Sequence, residues 1–250
     1  EIIRGAASAK YGADAIGGVV NVITKEAAKS AGMQVNLEGR RVRGDSDLFP
    51  YANFFLRADS GQFGKLRIAA YGGRRDIMPI YSQRSFEVGG GGTVRNSLRY
   101  YGDIKNIGLV ASYDFDKNHS LSLNVDHTAE DMERFVKRSN SGGEGLQNFK
   151  RELDRNTYRL SYAGRGGNSD WNVSLDYAKM NEDDTTLTSD YIHSPYEGKN
   201  TLNYIDDLMH QQWSLKASAN TQIHRDHLLT YGIGYTQEKG EGSRIKNAPN

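Results

Sequence analysis

The chain has 250 residues with a hydrophobic content of 37% and a mean hydropathy of −0.70, and its apolar runs extend little beyond Ala15 to Val20. A membrane-spanning helix needs about 20 apolar residues, so helical membrane proteins are excluded. Lysine and arginine total 32 against 31 for aspartate and glutamate, and the net charge of +1 lacks the strongly basic face that nucleic acid requires; zero cysteines rule out disulfides and thiolate metal sites.

Ile2 and Ile3 close a first predicted strand, after which Gly5 and Gly12 permit tight backbone and Ala6, Ala7, Ser8 and Ala9 permit close packing. Gly17-Gly18 opens a second strand rich in β-branched residues, Val19 to Thr24. Ile3-Arg4-Gly5, then Ser8-x-x-Tyr11-Gly12, then Ala15-Ile16-Gly17-Gly18-Val19-Val20-Asn21 and Ile23-Thr24-Lys25 stand in the order and spacing of one family. This stretch resembles the end of the plug domain of a TonB-dependent outer-membrane receptor. The resemblance implies residues 1–28 as the C-terminal end of a plug and 29–250 as the N-terminal part of a β-barrel. Beginning in mid-motif at Glu1, the chain is expected to be a fragment, with signal peptide, TonB box and most of the plug upstream. Arg4, Gly5, Tyr11, Gly12, Gly17, Gly18 and Asn21 carry the motif, and the family suggests that Arg4 pairs with a barrel carboxylate; the alternative is a solvated arginine before a turn.

Past Lys25 the dominant signal has period two. Val35 and Leu37 begin it, followed by Leu66, Ile68 and Ala70, then by Ile107, Leu109, Ala111 and Tyr113. Leu121, Leu123 and Val125 alternate with Ser122, Asn124 and Asp126; Tyr158, Leu160 and Tyr162 with Arg159 and Ser161. Trp171, Val173, Leu175 and Tyr177, then Trp213, Leu215, Ala217 and Ala219, then Leu229, Tyr231, Ile233 and Tyr235 complete a set of about nine strands, each near the 9–11 residues that cross a bilayer at a tilt.

A soluble sandwich also alternates, so the connections decide. Those at Ser60 to Gly64, Asp116 to His119, Arg165 to Asp170 and His224 to His227 are short, whereas those near Arg74 to Tyr101, Glu133 to Leu153 and Asn181 to Asp207 run to about twenty residues or more. A modest first loop near Gly44 to Pro50 departs from the long series. Short turns at one rim and long loops at the other predict an all-β, antiparallel transmembrane barrel, partial in this chain. Phe115, Trp171, Tyr177, Trp213 and Tyr235 fall where interfacial girdles would lie, and Arg40, Arg67, Asp126, Arg159, Asp176 and Lys216 fall on the polar face.

No enzymatic constellation stands out. Asp183-Asp184 and Asp206-Asp207 are neighbours on an extended chain and point oppositely; His224-x-x-His227 occupies a turn with no further ligand close by; Gly89 to Gly92 lacks the strand-to-helix setting of a phosphate loop. Neither a metal site nor a cofactor is expected. Candidate ligand-binding residues are Arg74, Arg75, Tyr81, Arg84, Arg95, Arg99, Tyr100 and Tyr101, because guanidinium and phenol together suit an anionic aromatic ligand; ordinary loop charge touching lipopolysaccharide is the alternative. The resemblance implies active uptake across the bacterial outer membrane, driven by the TonB complex. Its ligand would be a ferric siderophore first, with haem or haemoglobin second and cobalamin or glycans behind. His193 is the candidate haem ligand. A passive porin or adhesin, or a soluble secreted β-protein, would share the strands but not the plug motif.

Overall fold

In the computed structural model, residues 2–4, 18–20, 25–40, 51–88, 92–140, 143–189 and 200–243 are described. β1 (Ile2–Arg4) and β2 (Gly18–Val20) form a separate antiparallel pair in which Ile3 faces Val19. The rest is one sheet of nine strands: β3 (Ala31–Arg40), β4 (Tyr51–Phe63), β5 (Leu66–Val88), β6 (Gly92–Asp114), β7 (His119–Asn140), β8 (Gly143–Gly166), β9 (Ser169–Ser189), β10 (Asn200–His224) and β11 (His227–Gly242). Each strand pairs antiparallel with its neighbour in sequence, so the sheet is a meander with β3 and β11 at its edges. The expected all-β partial barrel of about nine strands is the architecture found.

Short turns join the strands at one rim, at 64–65, 115–118, 167–168 and 225–226. Gly64 and Gly167 take φ of 61° and 57° there, the left-handed region in which a Cβ is strained. At the other rim the structure corrects the sequence reading. Within the expected loops Arg74 to Tyr101, Glu133 to Leu153 and Asn181 to Asp207, the described residues continue the strands, β5 to Val88, β7 to Asn140 and β9 to Ser189, with β6, β8 and β10 starting at Gly92, Gly143 and Asn200; 89–91, 141–142 and 190–199 lie outside the described residues. β7 and β8 likewise pair out to Asn140 and Gly143. Apolar alternation stops where hydrocarbon stops, whereas backbone pairing continues into water as long as both strands can exchange hydrogen bonds. Gly44 to Pro50 and Gly89 to Gly91 lie outside the described residues.

The sheet has two unlike faces. Phe54, Leu56, Ile107, Leu109, Leu160, Leu175, Leu215 and Ile233 stand on one, all exposed, Ile233 at 78%. Among the described residues only Ala27, Ala69 and Val110 are buried apolar side chains. A contiguous apolar face along a whole sheet is what the lipid-facing side of a membrane barrel presents. Aromatic rings bound the band on both sides. Tyr113 and Phe115 meet at 5.1 Å and His119 and Trp171 at 5.9 Å by the short turns, while Tyr177 packs on Trp213 at 4.4 Å and on Tyr158 at 6.0 Å at the opposite limit. Of the expected girdle residues, Tyr235 sits one row inside the upper limit, opposite Leu215.

Candidate functional site

Much of the charge on the polar face is paired. Arg67 reaches Asp114 at 3.0 Å, Tyr71 donates to Asp126 at 2.9 Å, and Arg159 bonds Asp176 across β8 and β9. Arg40 is paired with Glu38 at 2.8 Å on β3. Lys216, opposite Ser174 and Gly234, belongs to the same face. Alternation put these residues together, and pairing lets them share a surface opposite hydrocarbon.

A feature invisible to strand patterning lies on the same face. The segment from Glu26 to Lys29 crosses β4 and β5 and is held there through its backbone. Arg57 Nη2 donates to the Glu26 carbonyl at 2.6 Å, and Arg67 Nη1 to the Ala27 carbonyl at 2.9 Å. The Ala28 amide donates to Asp59 Oδ1 at 2.8 Å, and the Gln62 amide to the Lys29 carbonyl at 3.0 Å. Arg57 and Asp59 also face each other bidentately at 2.9 Å, both nearly buried. Ala27 packs with Ala69, Val110 and Tyr71.

The ladder separates the candidate ligand residues. Arg75 faces Asn53 and Ile104 on the polar-face parity, which Arg84 and Tyr100 share beyond an irregularity between Ile77 and Ile80. Arg74, Tyr81, Arg95, Arg99 and Tyr101 fall at the opposite parity, continuous with the apolar face. Arg74 is tied to Asp76 at 2.9 Å and Asp103 at 3.1 Å, and Tyr101 donates to Glu133. Arg74 and Arg75, neighbours on a strand, therefore take opposite sides, while Tyr81, Arg84, Arg95, Arg99 and Tyr100 are placed by backbone register alone. Arg75 is exposed and has no hydrogen bond or ion pair among the described residues.

Sequence reading missed a column on β8. Arg151, Arg155 and Arg159 share the polar face at intervals of four, a spacing that strand parity would have flagged. Arg151 bonds Asp184 at 3.1 Å and Glu182 at 3.3 Å; the hydrogen bond to Asp184 raises its pKa above the ordinary arginine value, against a smaller opposing effect of burial. Arg134 lies over the Phe149 ring at 4.0 Å. Arg155, exposed, has no partner among the described residues. It stands opposite Thr128, and Arg75 is on the row above, running through Ile104, Glu130 and Leu153. Three strand spacings, about 15 Å, separate the two arginines.

Asp184 bonds Arg151 on the polar face while Asp183, one residue before it, faces Glu152 and Asp207 in the ladder, as adjacent carboxylates on a strand should. His224 lies 4.0 Å from Asp226 in its turn. Arg4 pairs in register with Gly18. Gly5, Tyr11, Gly12, Gly17, Asn21 and His193 lie outside the described residues.

No protein-family model matches the chain. Over 173 residues it is 29% identical to the iron-regulated outer membrane virulence protein of Vibrio cholerae serotype O1, an alignment covering 66% of this chain and 24% of that protein. The chain thus spans about a quarter of the relative's length. Among solved structures, the ferric citrate transporter FecA in its unliganded form gives a TM-score of 0.49 at 14% identity, over 98% of this chain and 43% of that one. BauA, the ferric preacinetobactin receptor from Acinetobacter baumannii, gives 0.49 at 15% identity, over 97% and 47%. The expected resemblance to an outer-membrane receptor family is borne out by the iron-regulated outer membrane relative from Vibrio cholerae. With its bare apolar face, the chain is located in the bacterial outer membrane.

Proposed function

We propose that this chain is part of a TonB-dependent outer-membrane receptor that imports an iron-containing ligand, a ferric siderophore first and haem second. The observation that carries the reading is a meander whose exposed apolar face is bounded by aromatic rings while its other face holds paired charges. That is the wall of a hydrated, ligand-conducting barrel. Residues 1–28 are read as the end of the plug, supported by the motif from Ile3 to Lys25 and by the pairing of β1 with β2 alone among the described strands. The TonB complex would energise the import. Lipopolysaccharide would contact the charged wall just above the apolar band, where Arg74, Asp76, Asp103 and Lys105 are linked. The chain is read as a transporter wall and not an enzyme.

The ligand-facing cations are Arg75 and Arg155, with Arg84 and Tyr100 at the same parity higher on the wall. Arg74 is committed to two carboxylates, whereas Arg75 and Arg155 can offer their forks to an anion. In the full-length receptor, Arg75→Gln with Arg155→Gln should weaken binding of a ferric catecholate at least tenfold, about 1.4 kcal/mol, and flatten its salt dependence. Arg74→Gln should change affinity less than about twofold. Equal losses in both variants would show that the pleat does not select the ligand face. Should His193→Ala abolish haem uptake while catecholate binding ignores all three arginines, haem becomes the ligand.

A further inference from the structure

We infer that Glu26 to Lys29 is a standing clasp, closed both at rest and during transport, so that any movement of the chain before Glu26 ends at the β4–β5 wall and is not passed to β3. Each residue of the segment has a backbone group engaged by the wall, through the Arg57, Arg67, Asp59 and Gln62 contacts described above. The wall groups are themselves held in place: Asp59 fixes the Arg57 fork and Asp114 fixes Arg67. Arg57 and Arg67 are 5% and 7% exposed, so lifting the segment would leave several buried polar groups unpaired at once. The Ala27 methyl, 1% exposed against Ala69 at 0%, adds an apolar contact that must open in the same step. A strap held by one side chain could slide, but one held at successive backbone positions must release them together.

Only the persistence of the clasp during uptake rests on the function proposed above; its closure at rest does not. This sequence has no cysteine, so thiol labelling of the full-length protein in outer membranes, with any cysteine outside these residues replaced by serine, tests it. Ala27→Cys should react with a small water-soluble maleimide at least tenfold more slowly than Lys29→Cys, an exposed position, and should stay slow while energised cells import ferric catecholate. Adding Arg57→Ala should bring the Ala27→Cys rate to within about threefold of the Lys29→Cys rate. Asp59→Asn serves the same purpose if Arg57→Ala fails to give heat-modifiable, folded protein on gels. Comparable rates at the two cysteines in the resting protein would overturn the clasp, as would no acceleration in either folded wall variant. Acceleration of Ala27→Cys confined to active uptake would overturn its permanence. Slow labelling in a protein that imports no iron ligand would support the closed clasp and overturn only the transport reading.

Discussion

Leu175→Arg lowers the stability of the full-length protein in lipid vesicles by about 2–4 kcal/mol, whereas Ser218→Arg costs less than about 1 kcal/mol. Leu175 lies between Leu160 and Leu215 in the middle of the apolar band, with Val173 and Tyr177 on the same side of β9. A guanidinium there can reach water only by distorting the band. Ser218 is exposed on the other face, opposite Asn172 and Gly232, where a long charged side chain meets polar neighbours and water. Asp176 is a poor control, because its replacement by arginine would also set a second cation beside Arg159. Denaturant unfolding of both variants measures the difference. Equal costs would place both residues in the same solvent.

The second large effect is at the clasp. Arg57→Ala should destabilise the folded protein by about 3–5 kcal/mol, because it leaves Asp59 as a nearly buried carboxylate without its counter-charge and the Glu26 carbonyl without its donor. Arg57→Lys should recover only part of the loss. Its single ammonium cannot reproduce two bonds to Asp59 and a third to Glu26. The same unfolding measurement checks both substitutions, and a cost below about 1 kcal/mol for Arg57→Ala would mean that the pair is hydrated and the clasp loose.

What could be read in the sequence follows from where a strand has two different solvents. At Trp171, Val173, Leu175 and Tyr177, hydrocarbon on one side and polar groups on the other enforce period two, so strand, face and approximate register were all legible. Beyond Tyr177 the same strand continues to Ser189 with water on both sides, the alternation has no cause, and the residues read as loop. Reading a loop there put Arg74 and Arg75 into one candidate set, although as strand neighbours they take opposite parities. Arg57 was missed for another reason. Its importance comes from a contact with Glu26, distant in sequence, which no local pattern reports. Arg67 was placed on the correct face, but its hold on Ala27 was equally hidden. Arg155 was overlooked although its spacing from Arg151 and Arg159 was available.

The central claim is that one face of this sheet meets lipid and the other does not. Single cysteines at successive positions from Trp171 to Tyr177 in the full-length protein, each carrying a fluorophore, report it directly through quenching by a lipid-soluble nitroxide and by a water-soluble one. Positions 171, 173, 175 and 177 should be quenched from the lipid, and 172, 174 and 176 from water, in strict alternation. Quenching from water at every position, or lipid quenching without period two, would contradict the account.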